Sequence, residues 1–148
     1  MKHNNTHVIM KASKDIEVRF SEVDSMQVVW HGCYALYFED AREAFGATYG
    51  LSYMTFFDHG VYAPLVELAF QYKKPIVYGM KPRIEIVYRP TEAAKIVFDY
   101  EIRDSSSNEL LATGHSVQVF MDSNYQLIWD KPEFYRQWQK RWGVETTV

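Results

Sequence analysis

One amphipathic helix followed by an almost unbroken run of period-two segments constrains this chain more than any other feature. From about Gly32 to Ala47, the residues Tyr34, Tyr37, Phe38, Ala41, Phe45 and Thr48 recur at three- and four-residue steps, while Glu39, Asp40, Arg42 and Glu43 fill the remaining surface. That is the pattern of a helix with one buried face, closed by glycine at position 46 or 50. A helix of this length is marginal alone, so its aromatic stripe must be covered. Burying Tyr37, Phe38 and Phe45 at roughly 1.5–3 kcal/mol each outweighs the local deficits of its glycine and threonine.

What covers it follows in the chain. Asp15 to Phe20 alternates as a strand before the helix, with Ile16, Val18 and Phe20 on one face. Beyond a short helical turn at Ser52 to Asp58, Val66, Leu68, Phe70 and Tyr72 alternate with polar or small residues. Ile84, Ile86 and Tyr88 do the same, then Ile96, Phe98, Tyr100 and Ile102, then Leu111 to Met121, and a last short segment at Leu127 to Trp129. Turn-forming clusters such as Asp104-Ser105-Ser106-Ser107-Asn108 separate them. Consecutive strands with short connections predict an antiparallel sheet, and one long helix against such a sheet is an α+β domain. Pro132 suits a first helical turn, and Phe134, Trp138 and Trp142 at four-residue intervals predict a C-terminal helix that packs on the body.

The 148 residues read as a single domain, 1–148, with 47% hydrophobic and 16% aromatic content to fill its core. A net charge of −3 gives no general attraction to nucleic acid or anionic membrane. Cys33 is the only cysteine, so no intrachain disulfide forms, and no apolar run approaches the roughly 18 residues of a membrane span. The polar opening Met1 to His7 lacks the apolar centre of a secretory signal. These features predict a cytoplasmic protein.

Chemistry concentrates between the first strand and the helix, in Val18 to Gly32. There Asp24 precedes the apolar run Val28-Val29-Trp30, which can anchor the connection to the core while Asp24 and the backbone around His31 face a ligand at the helix start. A helix start offers unpaired N–H groups and a partial positive charge that polarise a carbonyl or hold an anion. A carboxylate beside it can attack as a nucleophile or activate water as a general base.

These residues resemble the opening of hotdog-fold acyl-CoA thioesterases. Val18-Arg19-Phe20, Asp24, Val28-Val29-Trp30-His31 and the helix with Tyr34, Tyr37, Phe38 and Glu39 are similar to the 4-hydroxybenzoyl-CoA thioesterase type and to the bacterial branch associated with the Tol-Pal envelope system. In those families an acid is followed, after about six residues, by an aromatic or histidine that opens the central helix. Tyr72-Lys73-Lys74-Pro75 resembles the family's aromatic-x-x-proline segment. The resemblance implies a hotdog fold, a long central helix wrapped by an antiparallel β-sheet, and hydrolysis of an acyl-CoA or acyl-carrier-protein thioester. It implies catalytic roles for Asp24 and His31, with the His31 backbone N–H as oxyanion donor and the imidazole orienting substrate or water. Coenzyme A enters only as part of the substrate, and no separate cofactor or metal is implied. A homodimer, often paired again into a homotetramer with sites at the subunit boundary, is implied as well. Relatives commonly carry glycine in the turn where Met26 and Gln27 stand, so a turn that depends on glycine is expected to change here. The alternative function is a noncatalytic acyl-thioester or acyl-carrier binding protein on the same fold.

Other chemistry-bearing residues read as structural. Cys33 is expected to be a small buried apolar residue, not a nucleophile. His3, His7, His59 and His115 are scattered without metal-ligand spacing, and Glu39, Arg42 and Glu43 form a charged helix surface. Glu67 falls on a solvated strand face. Lys73, Lys81, Arg83, Arg89, Lys95 and Arg103 are the candidate pool for the phosphates of coenzyme A, with none singled out.

Overall fold

A computed structural model describes residues 9–145. The readings of Met1 to His7, including His3 and His7, lie outside the described residues. In chain order the elements are β1 (Lys11–Asp15), a single 3-10 turn (Phe20–Glu22), α1 (Cys33–Tyr49), α2 (Tyr53–Asp58), β2 (Val61–Tyr62), β3 (Leu65–Tyr72), β4 (Pro82–Arg89), β5 (Lys95–Asp104), β6 (Leu110–Asp122), β7 (Leu127–Ile128) and α3 (Glu133–Trp142). The seven strands form one antiparallel sheet in which β1, β4, β5 and β6 lie side by side. Strand β6 also pairs with β3 and, at its far end, with β2 and β7. This is the hotdog arrangement, a long helix α1 held against an antiparallel sheet.

The aromatic stripe of α1 buries as its spacing requires. Tyr34, Tyr37, Phe38, Ala41 and Phe45 are each at most 3% exposed and pack against the inward faces of β4, β5 and β6. Phe38 stacks flat on Tyr100 with ring centroids 4.2 Å apart, and Phe45 meets Phe98 edge-on at 4.9 Å. The helix can approach this closely because residue 114 of β6 is glycine. A Cβ there would lie 2.0 Å from the Phe38 ring.

The other end of α1 is fixed by α3. Gly50 closes α1 at φ 72°, and the Tyr49 carbonyl, left without a helical partner, accepts both the Trp138 and Trp142 indole N–H groups at 2.8 and 2.9 Å. Pro132 stands at the N-cap of α3, one position before the helix proper.

Two predicted strands shift. The first runs Lys11–Asp15, paired with β4, and not Asp15 to Phe20. Beyond the Ile16 N–H, which donates to the Pro82 carbonyl, the chain leaves the sheet and bends where the Glu22 carboxylate accepts the Arg19 N–H at 2.8 Å. Phe20 therefore sits 78% exposed with its ring against Tyr78. In β3 a bulge between Leu65 and Glu67 breaks the alternation, so Val66 is 60% exposed instead of sharing the half-buried face with Leu68 and Phe70.

Gly114→Ala should force Phe38 off Tyr100 and lower stability by about 1–3 kcal/mol. The check is a lower urea midpoint with an unchanged denaturant slope.

Candidate active site

Residues 22–30 form a miniature hairpin at the start of α1. The Trp30 N–H donates to the Glu22 carbonyl at 3.1 Å and the Asp24 N–H to the Val28 carbonyl at 2.9 Å, with Val23 and Val29 paired between them. Asp24 organises the turn. Its Oδ1 accepts the N–H groups of Met26 at 2.8 Å and Val28 at 3.3 Å, and its carbonyl accepts the Gln27 N–H at 2.9 Å. Oδ2 accepts no hydrogen bond among the described residues, and Asp24 is exposed.

The turn contains a left-handed residue without a glycine. Gln27 itself takes the left-handed conformation, φ 62°, and its carbonyl accepts the Tyr78 N–H at 3.1 Å. The expectation that a turn depending on glycine would change here is corrected at this residue: positive φ is kept by Gln27, held by the hairpin and the Tyr78 contact. A residue with a Cβ costs roughly 1–2 kcal/mol in that region.

The second arm of the hairpin leads into α1. Val29 is buried, and its N–H donates to the Ile76 carbonyl at 2.8 Å, while Val28 pairs with Val77. This pairing lays Tyr72-Lys73-Lys74-Pro75 beside the helix start. Val28, His31, Tyr34, Tyr72, Lys74 and Pro75 are among the residues around an open cavity of about 270 Å³. Tyr34 meets Tyr72 edge-on at 4.8 Å, and burial, with Tyr72 and Cys33 adding to it, pushes the Tyr34 hydroxyl up to about 12, so Tyr34 stays neutral.

His31 lines this cavity and is exposed, its ring edge-on to Trp30. The backbone N–H groups of His31 and Gly32 donate to no acceptor among the described residues, whereas those of Cys33 and Tyr34 close the first turn onto Trp30 and His31. Two free donors therefore stand at the positive end of a 17-residue helix. Gly32 is pressed beneath the Trp30 indole, where a Cβ would lie 2.1 Å from the ring, so only glycine fits there. Asp24 does not line the cavity within one chain. The structure brings His31 and the Tyr72–Pro75 segment together, and places Asp24 at the tip of the hairpin that ends in His31.

The remaining candidates separate clearly. Cys33 is buried, its thiol donates to the Glu22 carbonyl at 3.8 Å, and burial followed by the charge of Glu22 raises its pKa, which keeps it a neutral thiol. His115 lies on the outer face of the sheet, its Nδ1 2.7 Å from Asp99, whose other oxygen accepts Arg89 at 2.8 Å. Burial pulls Asp99 upward, but the bonds to His115 and Arg89 together outweigh it and hold its pKa below the usual value. Glu39 and Glu67 are exposed, but Arg42 departs from the charged-surface reading: its side chain is largely covered, pairs with Glu39 and donates to the Tyr100 hydroxyl at 3.4 Å. Of the basic pool, Arg83, Arg89 and Arg103 are engaged with Asp15, Asp99 and Glu101, while Lys73 lines the His31 cavity. Lys74 lines it too, although it pairs with Glu109; the motif contained it, but its place at the cavity depends on the pairing with residues 28 and 29.

A larger cleft of about 890 Å³ lies elsewhere, among Arg42, Tyr53, Met54, Phe57, Tyr62 and Leu65 at the opposite end of β3. Sequence reasoning did not identify it, because α2 and the ends of β2, β3 and β6 meet there only in three dimensions.

The profile of the thioesterase-like superfamily matches residues 18–139. The Bacillus subtilis (strain 168) protein YneP, provisionally named an acyl-CoA thioesterase, is 28% identical over 132 residues, spanning 87% of this chain and 96% of that one. The 1,4-dihydroxy-2-naphthoyl-CoA hydrolase of Synechococcus elongatus is 27% identical over 123 residues, 82% of this chain and 89% of that one. Among solved structures, a DHNA-CoA thioesterase from Staphylococcus aureus superposes with a TM-score of 0.79 at 28% identity, covering 90% of this chain and 92% of that one.

Gln27→Gly should remove the left-handed strain at the cost of a more flexible unfolded chain, and raise stability by about 0.5–1 kcal/mol. A higher urea midpoint at constant slope checks it.

Proposed function

Because the chain belongs to the thioesterase-like superfamily, we propose that it hydrolyses acyl-CoA thioesters, with Asp24 as the attacking or water-activating carboxylate and the helix start as oxyanion site. Activity on acyl-CoA thioesters is supported at the level of the family. The observation that carries the residue assignment is the pair of unpaired N–H groups at His31 and Gly32, joined by one short hairpin to a carboxylate with a free oxygen.

Three requirements define the reaction: attack at the carbonyl carbon, stabilisation of the oxyanion, and departure of a thiolate. The last is easy, since a thiol with a pKa near 8.5 leaves without strong acid assistance. Two backbone donors at a helix start stabilise the developing charge. Asp24 then adds to the carbonyl to give a mixed anhydride that water hydrolyses, or removes a proton from water as the water adds. The His31 imidazole, at the rim of the same cavity, orients the acyl group or the water.

Within the superfamily we propose the 4-hydroxybenzoyl-CoA type, near the Tol-Pal-associated branch, on the spacing of Asp24 to His31 and on Tyr72-Lys73-Lys74-Pro75. The substrate is an acyl-CoA or acyl-carrier-protein thioester, coenzyme A being part of the substrate and no separate cofactor being used. Lys73 and Lys74, which line the same cavity, are the proposed partners of its phosphates. The cytoplasm is the proposed compartment, in keeping with a single cysteine. Among the described residues no helix is long and apolar enough to cross a membrane.

We propose a homodimer, able to pair again into a tetramer, built on β3. That strand pairs with β6 on one side and exposes Val66 and Tyr72. An open strand edge is a ready template for a second chain. A two-fold axis joining two β3 strands antiparallel sets the Leu65 end of one beside the Tyr72 end of the other. The large cleft of one subunit then adjoins the His31 cavity of its partner.

Asp24→Asn should lower turnover of the best substrate in a panel of short, long and aromatic acyl-CoAs at least about tenfold with the fold intact by circular dichroism. Near-normal turnover would remove Asp24 from the mechanism, and binding without hydrolysis by the native protein would favour the noncatalytic alternative. Native sizing should return a dimer or its multiple; a monomer would remove the proposed assembly.

A further inference from the structure

The hairpin that carries Asp24 has two arms, and they are held differently. Its second arm runs directly into α1 and is paired with residues 76 and 77. The first arm, residues 22–24, is cross-linked to α1 through Glu22. Glu22 Oε1 accepts the Tyr37 hydroxyl at 3.1 Å as well as the Arg19 N–H at 2.8 Å, and its carbonyl accepts the Cys33 thiol and the Trp30 N–H. Tyr37 lies on the second turn of α1, is 3% exposed, and cannot swing to another partner without leaving the core. Burial, reinforced by the charge and hydrogen bond of Glu22, raises the Tyr37 pKa far above the usual phenol value. Its hydroxyl is therefore a permanent donor to the carboxylate.

Resting on the thioester-hydrolase reading above, we propose that Glu22 and Tyr37 are a positioning pair for the reaction: their hydrogen bond sets the separation between the Asp24 carboxylate and the His31 and Gly32 N–H groups. Neither residue touches the acyl group. Glu22 stands two residues before Asp24, and its carbonyl holds the residue that precedes His31, so a shift at Glu22 moves the acid relative to the donors. The second arm is kept in place by residues 76–78, so when the side-chain cross-link is cut the first arm, left with its backbone bonds to the second, loosens and carries Asp24 away from the helix start. A displacement of that kind acts on attack geometry, which is steep in rate, and not on substrate affinity.

The test compares Glu22→Ala, Glu22→Gln, Tyr37→Phe and Asp24→Asn in the full-length protein, by steady-state kinetics and by amide hydrogen exchange over residues 20–32. Tyr37→Phe and Glu22→Ala should each lower kcat about tenfold with KM changed less than about twofold. Glu22→Gln, whose amide oxygen still accepts from Tyr37 and Arg19, should recover most of that loss. The double variant Glu22→Ala/Tyr37→Phe should be no slower than the worse single one, because both cut the same bond. Exchange at the hairpin amides should quicken in both single variants while β5 keeps its protection. Wild-type kcat in Tyr37→Phe beside an inactive Asp24→Asn overturns the positioning pair and leaves the proposed function standing. The pair is equally overturned if Glu22→Gln is as slow as Glu22→Ala, or if hairpin exchange is unchanged in both single variants. Wild-type turnover in Asp24→Asn overturns the proposed function, and the catalytic sense of the pair with it.

Discussion

The flat contact between Phe38 and Tyr100 is the interaction on which the rest of this molecule is built. It brings α1 onto the sheet at the point where Gly114 leaves no side chain in the way. Phe45 against Phe98 and the two indoles on the Tyr49 carbonyl then secure the far end. A helix pinned at its middle and its C-terminus has a fixed N-terminus, and the backbone bonds of Val29 and Trp30 hold the free N–H groups of His31 and Gly32 in front of it. Each buried ring contributes roughly 1.5–3 kcal/mol, and the same burial that stabilises the fold makes the helix start rigid. Stability and the preorganisation of the proposed site therefore share one source.

A sparse site suits the chemistry proposed for it. Amide hydrolysis needs a proton delivered to a poor leaving group, but a thioester does not. The helix start can supply the oxyanion donors without any side chain, which is why Cys33 and Tyr34, the next two residues, are free to be core. Cys33 illustrates the division: one residue into the helix its thiol is buried, neutral and turned to the Glu22 carbonyl. The nearby polar residues keep the site in shape, and Tyr34, held neutral by burial, adds no charge that would compete with the oxyanion.

How much of this was legible in the sequence depends on the range of the interaction involved. The helix stripe from Tyr34 to Phe45 and the alternation of Ile96 to Ile102 are set by local periodicity, and both elements formed where the pattern placed them. Val66 did not follow its pattern, since the bulge at Leu65 and Glu67 is a property of the pairing with β6. The first strand moved to Lys11–Asp15 because its register is chosen by β4, about seventy residues later. At the site, the approach of Lys74 to His31 rests on the Val29 to Ile76 bond, and the Glu22 to Tyr37 bond crosses from a loop to a helix; neither has a spacing rule to announce it. Gln27 shows the converse. The glycine rule led to the expectation of a changed turn, but the hairpin bonds around it hold a glutamine in the left-handed conformation.

The two concave regions of the chain make sense only when taken with the direction of β3. The cavity at His31 lies by Tyr72 and the larger cleft by Leu65, the two ends of the eight-residue strand β3 and seven residue steps apart, and at roughly 3.3 Å per residue this exceeds 20 Å. An acyl chain attached to a carbonyl at the helix start of one subunit would have to pass along the whole strand to reach the cleft of that same subunit. On the proposed two-fold pairing the distance collapses, because antiparallel strands exchange their ends. The open edge of β3 then serves two purposes at once, closing the sheet against unspecific pairing and setting an apolar chamber of one subunit opposite the polar reaction centre of the other. The size of the acyl group accepted would then be set by α2 and its exposed Tyr53, Met54 and Phe57, residues that contribute nothing to the chemistry at Asp24.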